Sequence, residues 1–313
     1  GNAGMFGAGL GVTAFLLGVR HAFDADHIAA VDNATRTLVG GGRPALSAGF
    51  WFSLGHSSVV FGLSLLLALG VRALAGPVAD PDSSLRQTLG LVGAGVAGTF
   101  LLVVGLANLG SLVGIVRLLR GARSGSLDED ALEHHLHHHG VVARLLSRFT
   151  RRVAAPWHLY PVGLLMGLGL DTATQVALLV LAGGTAALSL PWYAVLVLPV
   201  LFAAGMTLFD AADGVLMARA YHWALEQPLR RVYYNLVVTS LSVVAAVGIG
   251  ATVLGQLIAD TIPAPGGVWA RVAGIDLEFV GFALVGVFVT VWLAGRALGR
   301  FGRLEERWAR AAG

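Results

Sequence analysis

The chain has 313 residues, of which 56% are hydrophobic and only 12% charged, about half the charged share of an ordinary globular protein. That balance predicts an integral membrane protein rather than a soluble enzyme. A formal charge of +3 is too small to signal nucleic acid, and the absence of cysteine excludes disulfides, thiolate metal sites and cysteine nucleophiles.

Seven apolar runs are long enough to cross a bilayer, which takes about 20 residues. They cover roughly 5–30, 46–74, 89–119, 160–188, 192–217, 232–259 and 277–298. The sequence thus predicts an all-α, polytopic membrane protein in three parts: a first transmembrane half (1–119), a polar loop (120–156), and a second half with the C-terminus (157–313). Small residues recur inside the runs, as in "GAGLG" and "GLLMG", and suit close helix packing in lipid.

All the basic residues are arginines, and they are distributed unevenly. Arg36 and Arg43, the stretch from Arg117 to Arg152, Arg219, Arg230, Arg231 and the C-terminal arginines all fall on one side of a seven-span topology. The other side has Arg72, Arg86 and Arg271. The positive-inside rule makes the first side cytoplasmic, and with it the C-terminus. Gly1 then lies outside with no signal peptide pattern, which predicts one further span before it.

The first run ends in "RHAFDADHI", Arg20 to Ile28. An ionised side chain at mid-bilayer costs roughly 2.5–3.5 kcal/mol, so His21, Asp24, Asp26 and His27 must pair, line water or bind something. Imidazoles with carboxylates suit nickel, cobalt, zinc or iron. At about 100° per residue, His21, Asp24 and His27 share one arc of a helix, while Asp26 lies about 140° round from His21. One straight helix cannot aim His21, Asp26 and His27 at one ion. Either the helix unwinds here or Asp26 serves another neighbour. Broken helices near the midplane are a transporter device.

Further polar groups follow in "FSLGHSSVVF" (His56), "GLGLDTATQVALL" (Asp171, Thr172) and "GMTLFDAADGVLM" (Asp210, Asp213). The interval from His21 to Gly55 equals that from Asp171 to Gly205, and spans one and four cross in opposite directions. This predicts an inverted three-plus-three repeat around a midplane site. The loop holds "LDEDALEHHLHHHG", with His134, His135, His137, His138 and His139. It reads either as a cytoplasmic metal-buffering tract or as a tolerated polar linker.

Four ordered motifs resemble the nickel/cobalt transporter family: "RHAFDADHI", "LGHSSVV" at Leu54 to Val60, "LGLDTATQ" at Leu168 to Gln175, and "GMTLFDAADG" at Gly205 to Gly214. Leu170 and Gln175 depart from the third family pattern, and Gln175 removes a carboxylate. The resemblance spans nearly the whole chain. It implies uptake of Ni²⁺ and/or Co²⁺ across the bacterial cytoplasmic membrane by an eight-span permease with no permanent cofactor. It carries importance to His21, Asp26 and His27, then to Asp24 and His56, and less firmly to Asp171, Thr172, Asp210 and Asp213. Two alternatives stand beside uptake: divalent metal efflux, and a membrane-bound acyltransferase using the His-x4-Asp spacing of "HAFDAD".

Overall fold

The computed structural model describes residues 2–68, 83–123, 154–168, 196–225, 228–261, 267–277 and 279–301. Every regular element among them is helical. In chain order these are α1 (Asn2–Ala22), α2 (Ala25–Gly40), α3 (Ala48–Ala68), α4 (Ser84–Arg123), a 3-10 turn (Pro156–His158) leading into α5 (Leu159–Gly167), α6 (Val197–Leu225), α7 (Pro228–Thr261), α8 (Val268–Ala273) and α9 (Val280–Phe301). Among the described residues, four helices are long and apolar enough to cross a membrane, at Ala48–Leu66, Gln87–Gly110, Val197–His222 and Leu236–Asp260. Two shorter apolar stretches accompany them, at Ala8–Ala22 and Val280–Ala294. The fourth predicted span is described only up to Leu168; its remainder, with Asp171 and Thr172, lies outside the described residues, as does the histidine tract.

The first span corrects the sequence reading. It is not one helix over 5–30. α1 stops at Ala22, and α2 starts at Ala25. Asp24 is extended, at φ −62° and ψ 142°, in the N-cap position of α2. The last turn of α1 tightens as Phe23 N–H donates to the Arg20 carbonyl and Asp24 N–H to the His21 carbonyl, which satisfies helix-end groups locally. Asp26 stands in the first turn of α2, where an acid complements the helix dipole. An interruption of this kind is tolerated at membrane depth only where protein surrounds it.

α2 is the buried centre. Ala25, Ala29, Ala30, Val31, Ala34 and Leu38 are all at most 3% exposed. Its small side chains let α4, α6, α7 and α9 pack around it. Buried polar pairs tie it in place. Asn108 on α4 donates to Asn33 Oδ1 at 2.7 Å. The Tyr221 hydroxyl on α6 donates to Asp32 Oδ1 at 2.6 Å and lies 3.2 Å from Ser242 Oγ on α7. On the outside, Val12, Leu16, Leu208, Val244 and Phe279 are more than half exposed, as expected of lipid-facing positions.

Candidate metal site

The interruption between α1 and α2 decides where the imidazoles go. His21 sits in the last turn of α1 and His27 in the first turn of α2. Because the chain changes course between them, both rings converge on His56 of α3. Ring centroids are 4.7 Å apart for His21 and His27, 4.6 Å for His27 and His56, and 5.1 Å for His21 and His56. All three are buried, and one nitrogen of each lies within 4.8 Å of the others.

One pair of nitrogens already has the spacing of two ligands on one small dication. Two nitrogens bound at about 2.1 Å and subtending about 90–110° stand roughly 3.0–3.4 Å apart; His21 Nε2 and His56 Nε2 are 3.2 Å apart. His21 Nδ1 lies 2.6 Å from Asp24 Oδ2. That carboxylate accepts the Nδ1 proton, fixes the tautomer and turns the Nε2 lone pair toward His56, the usual orienting arrangement behind a ligating histidine.

His27 is 1% exposed, and among the described residues neither ring nitrogen has a hydrogen-bond partner. Its Nδ1 stands 3.5 Å from Asp210 Oδ2 on α6, whose two carboxylate oxygens also lack hydrogen bonds. Leaving such groups unsatisfied costs about 1–3 kcal/mol each, more for charged groups, so the arrangement suits a polar or cationic visitor. Phe52 stands edge-on to His27 at 4.9 Å, and Phe202 flanks His21 at 5.9 Å. These rings make the walls of the cluster apolar.

Asp24 joins the cluster through His21, and Asp210 through His27. Asp26 is only partly buried; its Oδ1 accepts the His27 backbone N–H at 2.9 Å, so it secures the start of α2. Asp213, one turn beyond Asp210, is buried, and among the described residues both its oxygens lack a hydrogen-bond partner. Asp32 and Asn33 lie just beyond the motif, and the sequence alone did not single out their partners Asn108, Tyr221 and Ser242. Their signal is a polar residue within an apolar run, which by itself does not say which helices it joins.

Comparison with known proteins is consistent with this chemistry. The family model described as "High-affinity nickel-transport protein" (NicO) matches residues 7–297. The nickel transporter NicT of Mycobacterium tuberculosis is 51% identical over 306 residues, covering 98% of this chain and 82% of its own. The nickel transporter NixA of Staphylococcus aureus is 39% identical over 302 residues, covering 96% and 88%. The cobalt transport protein NhlF of Rhodococcus rhodochrous is 42% identical over 296 residues, covering 91% and 81%. No solved structure matches the chain.

Proposed function

The chain belongs to the NicO family of high-affinity nickel-transport proteins, and from that premise we propose that it carries Ni²⁺ and/or Co²⁺ into the cell through the His21–His27–His56 cluster. The observation that carries the reading is the cluster itself: three buried imidazoles at a helix interruption, two of them backed by carboxylates. Only deprotonated imidazoles bind a metal, and imidazole with carboxylate suits these ions. The dication enters the imidazole cluster, then moves past Asp210 and Asp213, with Asp171 and Thr172 serving the second half of the path. The membrane is the bacterial cytoplasmic membrane, with the C-terminus and the histidine tract inside; the tract buffers the arriving metal.

We further infer that α1, α3 and α4 recur in the same order and with inverted orientation as α5, α6 and α7, which divides the chain into the halves 1–119 and 157–313 about the 120–156 loop. The packing supports this: α1 lies on α6, α3 on α5 and α4 on α7, so exchanging the halves reproduces the same three contacts. Backbone contacts repeat residue by residue. Gly18 abuts the backbone of Phe202, and Gly163 that of Phe52; Gly205 abuts Phe15 and Val19, and Gly55 abuts Tyr160 and Leu164. The steps from Phe15 to Tyr160, Gly18 to Gly163 and Val19 to Leu164 are equal. The same step takes Ala22, the end of α1, to Gly167, the end of α5. In sequence it pairs Asp26 and His27 with Asp171 and Thr172, a register five residues from the one the His21–Asp171 spacing suggests. Rocking of one half against the other then opens the site to each side in turn.

Uptake of ⁶³Ni and ⁵⁷Co by cells expressing the chain tests the proposal. Accumulation above the empty-vector level is expected, with His21→Ala at that level despite equal membrane abundance. Accumulation below the vector level would mean efflux. Wild-type accumulation in His21→Ala would remove the site from the pathway.

A further inference from the structure

α9 stands outside the three-plus-three scheme, yet one end of it lies against the interruption. Gly281, in its first turn, is buried, and a Cβ there would run into the Phe23 carbonyl and the Asp24 backbone. The neighbouring Phe282 stacks on Phe23 with centroids 4.4 Å apart and planes 9° from parallel. Phe23 also meets Phe209 of α6 at 5.0 Å, next in sequence to Asp210. Beyond this point α9 runs along the core around α2 through Val280, Leu284, Phe288, Val291 and Trp292.

The two residues between α1 and α2 are therefore gripped by neighbouring helices. Asp24, whose carboxylate orients His21, directly follows the gripped Phe23. Aromatic pairs of this kind contribute about 0.5–1.5 kcal/mol beyond their buried area, and a glycine admits backbone contact that no other residue allows. The grip fixes the angle between α1 and α2, and with it the separation of His21 from His27.

We propose that Gly281 and Phe282 are positioning residues that set the affinity and ion preference of the three-histidine site by holding Phe23 and Asp24 in place. This rests on the transport reading above. It makes α9 a determinant of selectivity although it supplies no ligand. A shift in the interruption changes all three nitrogen separations at once, and Ni²⁺ and Co²⁺ differ in how far they tolerate that.

The test uses the full chain in proteoliposomes, with Ni²⁺ and Co²⁺ influx followed by a trapped indicator and Ni²⁺ binding measured in detergent. For Gly281→Ala, the half-saturating Ni²⁺ concentration is expected to rise about tenfold, the lower end of orienting-shell effects on metal affinity. The Ni²⁺/Co²⁺ preference should shift with it, while maximal flux per folded transporter stays within about twofold. Phe282→Leu should move both quantities the same way by a smaller factor, and Phe282→Tyr, which keeps the stack, should recover most of the loss. A folded Gly281→Ala with unchanged half-saturation and preference overturns the proposal. If that variant does not fold, the Phe282 pair decides: equal affinity in Leu and Tyr variants overturns it. A folded wild type that neither binds nor carries either ion would instead bring down the transport reading.

Discussion

The crossing of α1 with α6 and the crossing of α3 with α5 are built alike and carry different chemistry. Both bring backbones together at glycines, Gly18 and Gly205 in one and Gly55 and Gly163 in the other. In the last turns, α1 offers His21 and α5 offers Met166. The step that carries Phe52 to Phe202 carries His56 to Met206, so two imidazoles of the first half answer to two buried thioethers of the second. The packing frame is therefore separable from the chemistry placed on it, as function generally is from fold.

Breaking the imidazole side should have the largest effect. His27→Ala is expected to bring ⁵⁷Co and ⁶³Ni accumulation down to the vector background; retention of a tenth of the wild-type rate at normal abundance would contradict the site. Next comes Asp24→Asn, which leaves the three ligands in place but loses the charge that orients His21. Metal affinity should fall about 10–100-fold, read as a raised half-saturating concentration in an uptake titration. The packing frame is probed by Gly163→Val and Gly18→Val. Each forces a side chain into facing backbone and should destabilise the protein by about 1–3 kcal/mol or more, read as a lower midpoint in thermal unfolding in detergent; equal losses would support the alikeness of the crossings. The smallest effect is expected on the thioether side: Met166→Leu, a nearly volume-conserving change, should leave Ni²⁺ uptake within about twofold. A tenfold loss there would mean that the Met166 thioether also touches the ion.

Acid pH acts on the same contrast. Protons compete with a metal for imidazole nitrogens, which must be neutral to bind it. Lowering external pH from about 7.5 to 5.5 should therefore reduce uptake at subsaturating Ni²⁺, with recovery at higher Ni²⁺. A fall that high Ni²⁺ does not relieve would place the proton effect elsewhere.

The helical, membrane-embedded character was legible because apolar runs of bilayer length leave few other solutions. The misfit of Asp26 was legible: the angular argument left either an unwound helix or another neighbour for Asp26, and the helix is interrupted while Asp26 accepts the His27 backbone N–H. The interruption at Phe23 and Asp24 packs against Gly281 and Phe282, more than 250 residues later in the chain, and no local pattern announces such a partner. The same holds for Asp210. The run "GMTLFDAADG" singles it out, but only packing puts it 3.5 Å from His27. Asn33, Asn108, Tyr221 and Ser242 were illegible for the same reason, since each is an ordinary isolated polar residue until its helix finds its neighbours.

The placement of Phe202 and Asp210 on α6 has a consequence for biosynthesis. All three imidazoles, with Phe52 and Asp24, are translated and inserted long before α6 emerges, so a nascent chain ending after α4 holds the histidine trio without Phe202 and Asp210. Closure of the site is thus a late event in assembly. A metal captured by that immature intermediate would be held loosely and surrendered to water, and only the completed polypeptide isolates its cargo from solvent.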